Sequence, residues 1–124
     1  MAPKTILAVL LFATAVVGSA ADKVSVNGKW QIHTVVASRE SDSTCTFVQT
    51  GADLAGNCTG PRGTVDLSGK VDEKKISWTY KTDSEGGPVT LNYRGALNTE
   101  GTMAGFVNVQ EYGIDGEFTA TLSQ

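Results

Sequence analysis

Histidine occurs once in this chain, at position 33, and cysteine only twice, at positions 45 and 58. A catalytic thiol wants a histidine partner to activate it, and a zinc site wants three or four nitrogen, sulfur or carboxylate ligands gathered together. One histidine and two cysteines supply no visible set of either kind. Basic clusters are equally scarce: the longest is Lys74-Lys75. Nucleic acid and anionic lipid both demand a basic patch, so neither is an expected partner. Helical periodicity is missing after the first twenty residues or so, and no domain-sized linker, charge run or low-complexity tract divides the chain.

The single long apolar run is at the N-terminus. Lys4 precedes the stretch Ile6 to Val17, which ends in Gly18-Ser19-Ala20-Ala21. A charged start, a short apolar centre and a small-residue end have the form of a secretory signal peptide over residues 1–21, cleaved after Ala20 or Ala21. The run falls short of the roughly 20 apolar residues that span a bilayer, so no membrane insertion is expected after cleavage. Loss of Lys4 with this leader takes the formal net charge from −3 to −4. The remaining residues, 22–124, suffice for one domain with a modest core. An exported chain, secreted or periplasmic, folds under oxidising conditions, and its two cysteines then most simply form a Cys45–Cys58 disulfide.

What the rest of the chain does contain is period-two alternation of apolar residues. Gly, Asn, Asp and Ser punctuate it every 8–12 residues or so, the pattern of an all-β fold. Eight strands are read, at about 28–37, 43–50, 53–60, 63–72, 75–82, 88–97, 102–110 and 114–122. The turn at Gly51-Ala52 suits type II′, with glycine at the position that needs φ > 0. Counting outward from it pairs Gln49 with Leu54, Phe47 with Gly56 and Cys45 with Cys58, the last at a non-hydrogen-bonded site where side chains stand closest. A turn at Glu73-Lys74 pairs Val71 with Ile76 and Gly69 with Trp78. A three-residue loop, Thr99-Glu100-Gly101, pairs Leu97 with Met103 and Gly95 with Gly105.

These registers sort side chains by face. Trp30, Ile32, Val36, Cys45, Phe47, Leu54, Val65, Leu67, Val71, Ile76, Trp78, Tyr80, Val89, Leu91, Tyr93, Leu97, Met103, Val107, Phe118 and Leu122 share one face. The other carries Lys29, Gln31, His33, Thr46, Asp66, Ser68, Lys75, Ser77, Thr79, Lys81, Thr90, Asn92, Arg94, Glu117, Thr119 and Thr121. A sheet with one apolar face and short hairpins buries that face by curling into an up-and-down antiparallel meander barrel; a two-sheet β-sandwich is the alternative and would need longer crossovers.

The opening Asn27-Gly28-Lys29-Trp30 resembles the Gly-x-Trp start of the first strand in lipocalins and avidins, the calycin-like barrels. Small uncharacterised secreted proteins of Gram-negative bacteria are more similar still. Their Gly-x-Trp strand leads, as here, to Cys45-Thr46-Phe47 and Leu54-Ala55-Gly56-Asn57-Cys58, and their ending is like Gly116-Glu117-Phe118-Thr119-Ala120. The resemblance implies a barrel with a cup-shaped cavity and names no ligand. Biotin recognition does not follow from it, because Ile32 and Val36 stand where avidins place polar ligand contacts, and the C-terminal helix of lipocalins has no counterpart. Bacterial origin would make the Asn57-Cys58-Thr59 glycosylation sequon accidental.

Polar residues break the inward face at Thr34, Gln49, Tyr80 and Tyr93, beside Trp30 and Trp78. Small apolar sites with a few convergent polar groups are typical of ligand pockets. Thr34, Gln49, Trp78, Tyr80 and Tyr93 are therefore the candidate ligand-binding residues, and Trp30, near the closed end, is read as structural. The polar segment 38–43 is read as a connector that could close over the mouth. Asp83 and Glu85 are placed in a loop over 82–87, and Glu111, Tyr112 and Asp115 near the last hairpin are candidate mouth residues. No catalytic residue, metal or cofactor is assigned. The favoured function is non-enzymatic binding of a small hydrophobic or amphipathic ligand inside the barrel. The alternatives are a cavity-type isomerase or cyclase using Tyr80 or Tyr93, and a structural or self-associating module using Val35, Val48 and Phe106; the oligomeric state is left open.

Overall fold

The computed structural model describes residues 25–99 and 101–123. The segment read as a signal peptide lies outside them. Eight strands run β1 (Gly28–Val36), β2 (Arg39–Thr50), β3 (Asp53–Gly60), β4 (Gly63–Asp72), β5 (Lys75–Ser84), β6 (Gly87–Thr99), β7 (Thr102–Val109) and β8 (Ile114–Ser123). Each pairs antiparallel with its neighbour in sequence, and β1 pairs with β8 to close the barrel. No strand leaves the meander, so the sandwich alternative is not what forms.

The three hairpin registers read from turn chemistry are present: Cys45 opposite Cys58, Val71 opposite Ile76, and Leu97 opposite Met103. Gly51 has φ 63°, as the II′ turn requires. Glu73 takes φ 58° at a turn that lacks glycine, and the β6–β7 register shifts between Leu97 and Thr99 before Gly101 at φ 92°. The disulfide closes with Cα atoms 4.0 Å apart, on the short side of the two antiparallel spacings, where a non-hydrogen-bonded pair belongs.

Every apolar side chain assigned inward is buried or packs against the core. On the outer face Thr90 is an exception to solvation: it is only 8% exposed, because the Glu111 carboxylate lies over it and accepts from its backbone N–H at 2.6 Å and its hydroxyl at 2.7 Å. Two glycines let neighbouring walls approach. A Cβ on Gly56 would run into the Thr46 carbonyl, and one on Gly69 into the Ser77 carbonyl. Side chains there would push adjacent strands apart at the bends that close the cylinder.

The connection between β1 and β2 differs from the reading of a polar loop over 38–43. It is a two-residue turn, Ala37-Ser38, with φ 52° and 66°, and residues 39–43 are strand paired with β1. Positive φ at both central positions is type I′ geometry, for which Asn-Gly is the recognisable signal; Ala-Ser carries no such mark, and Arg-Glu-Ser-Asp-Ser has little strand propensity. The segment is wall rather than a loop that could close. Likewise β5 continues to Ser84, so Asp83 is a strand residue and the β5–β6 turn shrinks to Glu85-Gly86.

One end of the barrel is plugged. Val26 is fully buried, and its carbonyl accepts from the Trp30 indole N–H at 2.9 Å. The turns at this end are stitched together by backbone bonds from Val71 to Ala52, Leu97 to Lys74 and Leu122 to Gly101, each 2.9 Å. Above the plug the aromatic core rises from Trp30 through Phe47 to Trp78, then to Phe118 and Tyr93.

Candidate functional site

The other end is open. Inward positions of the upper wall supply Val36, Val65, Val89, Leu91 and Val109, with Tyr112 and Ile114 from the last hairpin, around a cavity of about 550 Å³. Its floor is a hydroxyl cluster. Tyr93 Oη sits 3.3 Å from Thr34 Oγ1 and 3.1 Å from Tyr80 Oη. Tyr80 pairs with Leu91 one step above the Trp78–Tyr93 pair, and Thr34 reaches the Tyr93 hydroxyl from β1 across the barrel. Burial, and then the neighbouring Tyr93, raises the Tyr80 phenol above its ordinary value. Tyr80 therefore holds its proton near neutral pH and serves as a hydrogen-bonding group.

The wall is not sealed around this cavity. β4 and β5 pair only from Ser68–Thr79 down to Asp72–Lys75, so Gly63–Leu67 and Tyr80–Ser84 splay apart toward the mouth. Val65 and Tyr80 border both the cavity and a groove on the outer surface. A second seam flanks the tip of β2, where Arg39–Ser43 pair with β1 alone while β3 ends at Gly60. Cys58 lines the cavity wall, which brings the disulfide beside the site.

Of the residues singled out from the sequence, Thr34, Tyr80 and Tyr93 are brought together at the floor. Trp78 lies beneath them: its ring stacks on Tyr93 with centroids 4.7 Å apart and planes 6° apart, and it does not reach the cavity. Its indole N–H is buried with no hydrogen-bond partner among the described residues. Gln49 sits at the plugged end, where its side chain accepts from the Val26 N–H at 2.9 Å and donates to the Gly51 carbonyl at 3.0 Å. Both Gln49 and Trp30 hold the segment Ser25–Asn27 against the base. Glu111 and Asp115 turn to the outer wall, onto Thr90 and Asn108 respectively, leaving Tyr112 at the mouth.

Two arrangements were not legible in advance, both because β2 starts earlier than its composition suggests. Arg39 pairs with Val36, and alternation back from Cys45 through Ser43 and Ser41 places it on the inward face at the rim. On the outer face His33 lies between two carboxylates, with Nδ1 2.7 Å from Asp42 and Nε2 3.0 Å from Glu40. The hydrogen bond to Asp42, followed by the attraction of both carboxylates, raises its pKa above 6.5. Among the described residues no group of three or more His, Cys, Asp or Glu side chains could hold a metal ion, and no helix is long and apolar enough to cross a membrane.

No protein-family model and no curated protein matches the chain. Among solved structures it is similar to a redesigned β-barrel, with TM-score 0.65 and 13% identity over 80% of this chain and 92% of that one. A further redesigned β-barrel, mFAP1 bound to DFHBI, aligns with TM-score 0.54 and 14% identity over 80% of this chain and 94% of that one. At such identities the likeness establishes the architecture alone: this chain folds as a small closed eight-stranded β-barrel.

Proposed function

We propose that this is an exported, non-enzymatic, calycin-like barrel that binds one small, partly apolar molecule in its open half. The observation that carries the reading is the cavity of about 550 Å³, apolar on its walls and ending on the hydroxyls of Thr34, Tyr80 and Tyr93. Its volume lies within the range of small-molecule sites, and its chemistry matches their usual composition of apolar lining with a few convergent polar groups. The apolar walls supply affinity through burial, and the floor hydroxyls exchange hydrogen bonds with a polar atom on the ligand. A small eight-stranded barrel of this shape has room for one such ligand above a packed core. The mFAP1 barrel, bound to DFHBI, is an instance of similar architecture accommodating a small molecule. The disulfide suits a protein working in an oxidising compartment, outside the cell or in the periplasm.

An isomerase or cyclase would need a proton carrier poised near neutrality. Tyr80 is pushed the other way. The carboxylates of Glu40 and Asp42 are engaged with His33 on the outer wall. Binding is thus the reading the geometry favours over catalysis.

The experiment is native mass spectrometry of the chain lacking residues 1–21 after exposure to cell lipid and metabolite extracts, followed by tryptophan fluorescence with the retained compound. The Trp78–Tyr93 stack couples the indole to the cavity floor, so occupancy should alter emission. Retention of one molecule per chain with a saturable change supports the reading; a bare chain in every extract and a silent indole would overturn it.

A further inference from the structure

We propose that the ligand of this cavity is an amphipathic anion: a single apolar chain or small ring system carrying a carboxylate, held at the rim by Arg39 and Arg62. This rests on the reading of the cavity as a binding cup and adds the class of molecule that fills it.

The inference starts from how charge is sorted around the mouth. The protein as a whole is acidic, with a formal net charge of −3, and charges of both signs line the mouth, Glu40, Asp42 and Asp83 beside the two arginines. Arg39 and Arg62 both line the cavity. Arg39 gets there by strand alternation opposite Val36, and Arg62 by its place in the two-residue turn between β3 and β4. Among the described residues, neither guanidinium has an ion-pair or side-chain hydrogen-bond partner. The nearest acids on β2 are unavailable to them, because Glu40 and Asp42 point to the outer wall and grip His33 at 3.0 and 2.7 Å. On β5, Asp83 pairs with Pro88 and shares its face with the outward Thr79 and Lys81.

His33 therefore does more than decorate the surface. By holding two carboxylates on the outer wall it leaves the guanidinium of Arg39, which directly precedes them in sequence, uncompensated over an apolar opening. A guanidinium is built to bind a carboxylate through paired N–H donors. Low-dielectric walls beneath the rim focus the field of both arginines toward the entrance. From the rim at Ser84 to the floor at Tyr80 is four residues of strand, about 13 Å at the usual rise. An extended medium-length chain fits that depth, with its carboxylate at the arginines and its tail against Val65, Val89 and Leu91. A neutral ligand would leave both guanidiniums unused.

The test compares three probes of equal chain length, decanoate, decanol and decyltrimethylammonium, by calorimetry and tryptophan fluorescence on the chain lacking residues 1–21. Decanoate should bind at least tenfold more tightly than decanol, with the ammonium weakest, and added salt should narrow the gap. The double variant R39Q/R62Q should bring decanoate down to the affinity of decanol, whereas K70Q, which removes a lysine from the outer wall, should leave decanoate binding as it was. An unchanged near-ultraviolet circular dichroism spectrum checks that the variants keep the aromatic core. Equal affinity for decanoate and decanol, or tighter binding of the ammonium, would overturn the anionic assignment while leaving the cup intact. Failure of all three probes to bind would overturn both.

Discussion

Trp78 and Tyr93, directly opposite each other on β5 and β6, stack with their rings 6° from parallel and their centroids 4.7 Å apart. The stack divides the interior. Below it are Phe47, Trp30 and the plug formed by Val26; above it the Tyr93 hydroxyl begins the floor of the open cavity. A single side chain thus belongs to the core through its ring and to the candidate site through its oxygen.

Tyr93→Phe separates these roles. The ring stack survives, but Thr34 and Tyr80 lose the hydroxyl that joins them. Leaving such buried groups short of a partner costs about 1–3 kcal/mol. Urea unfolding should show a lower midpoint at unchanged slope, and Tyr80→Phe, which removes only one of the two contacts, should cost less.

The two tryptophans should respond differently to replacement by phenylalanine. Trp30 donates to the Val26 carbonyl at 2.9 Å, whereas the Trp78 indole N–H has no partner among the described residues. Trp30→Phe therefore gives up a buried hydrogen bond and loosens the plug, while Trp78→Phe sheds an unsatisfied donor. Both variants lose volume, so the excess cost of Trp30→Phe reports the bond, about 1 kcal/mol or more. Chemical denaturation of the two variants side by side measures the difference.

Reducing the disulfide should lower stability by roughly 2–4 kcal/mol, the usual effect of releasing a loop of this kind. Because Cys58 lines the cavity wall, ligand affinity measured below the unfolding transition should weaken as well. Denaturation curves with and without reductant give the first quantity, and fluorescence titration gives the second. Equal stability in both redox states would remove the clamp from the account.

Two surface groups set opposite pH limbs. His33 has a folded pKa above 6.5, chiefly through its hydrogen bond to Asp42. Its contribution is complete below that ordinary value and is lost as pH rises through the raised one. Glu111 is held below its usual value of 4.5, chiefly by the Thr90 backbone N–H and then its hydroxyl. Its contribution is present above that value and fades as pH falls through the lowered one. Thermal melts across pH should show His33→Gln flattening the alkaline limb and Glu111→Gln the acidic one.

Turn chemistry and alternation were enough to read the barrel where they agreed with each other. Gly51 at φ > 0 set the β2–β3 register, and that register alone brought Cys45 to Cys58. The same parity placed Thr34, Tyr80 and Tyr93 on one face. It could not show at what height along the barrel each lies, which is why Gln49 shares their face yet sits at the plugged end. Height depends on the closure of β1 against β8, a pairing between the ends of the chain that no local pattern encodes. The rim was missed for a different reason: Ala37-Ser38 adopts a turn its residues do not advertise, so the inward place of Arg39 and the outward grip of His33 on Glu40 and Asp42 were hidden in an apparent loop.

The central claim, a binding cup above the Trp78–Tyr93 stack, is tested most directly by amide chemical-shift mapping of the isotopically labelled chain lacking residues 1–21 during titration with decanoate. The account predicts saturable shifts at Thr34, Val65, Tyr80, Leu91 and Val109, with the plugged end around Val26, Gln49 and Leu54 undisturbed. Shifts confined to the outer wall around the exposed Phe106, or none at all, would contradict it.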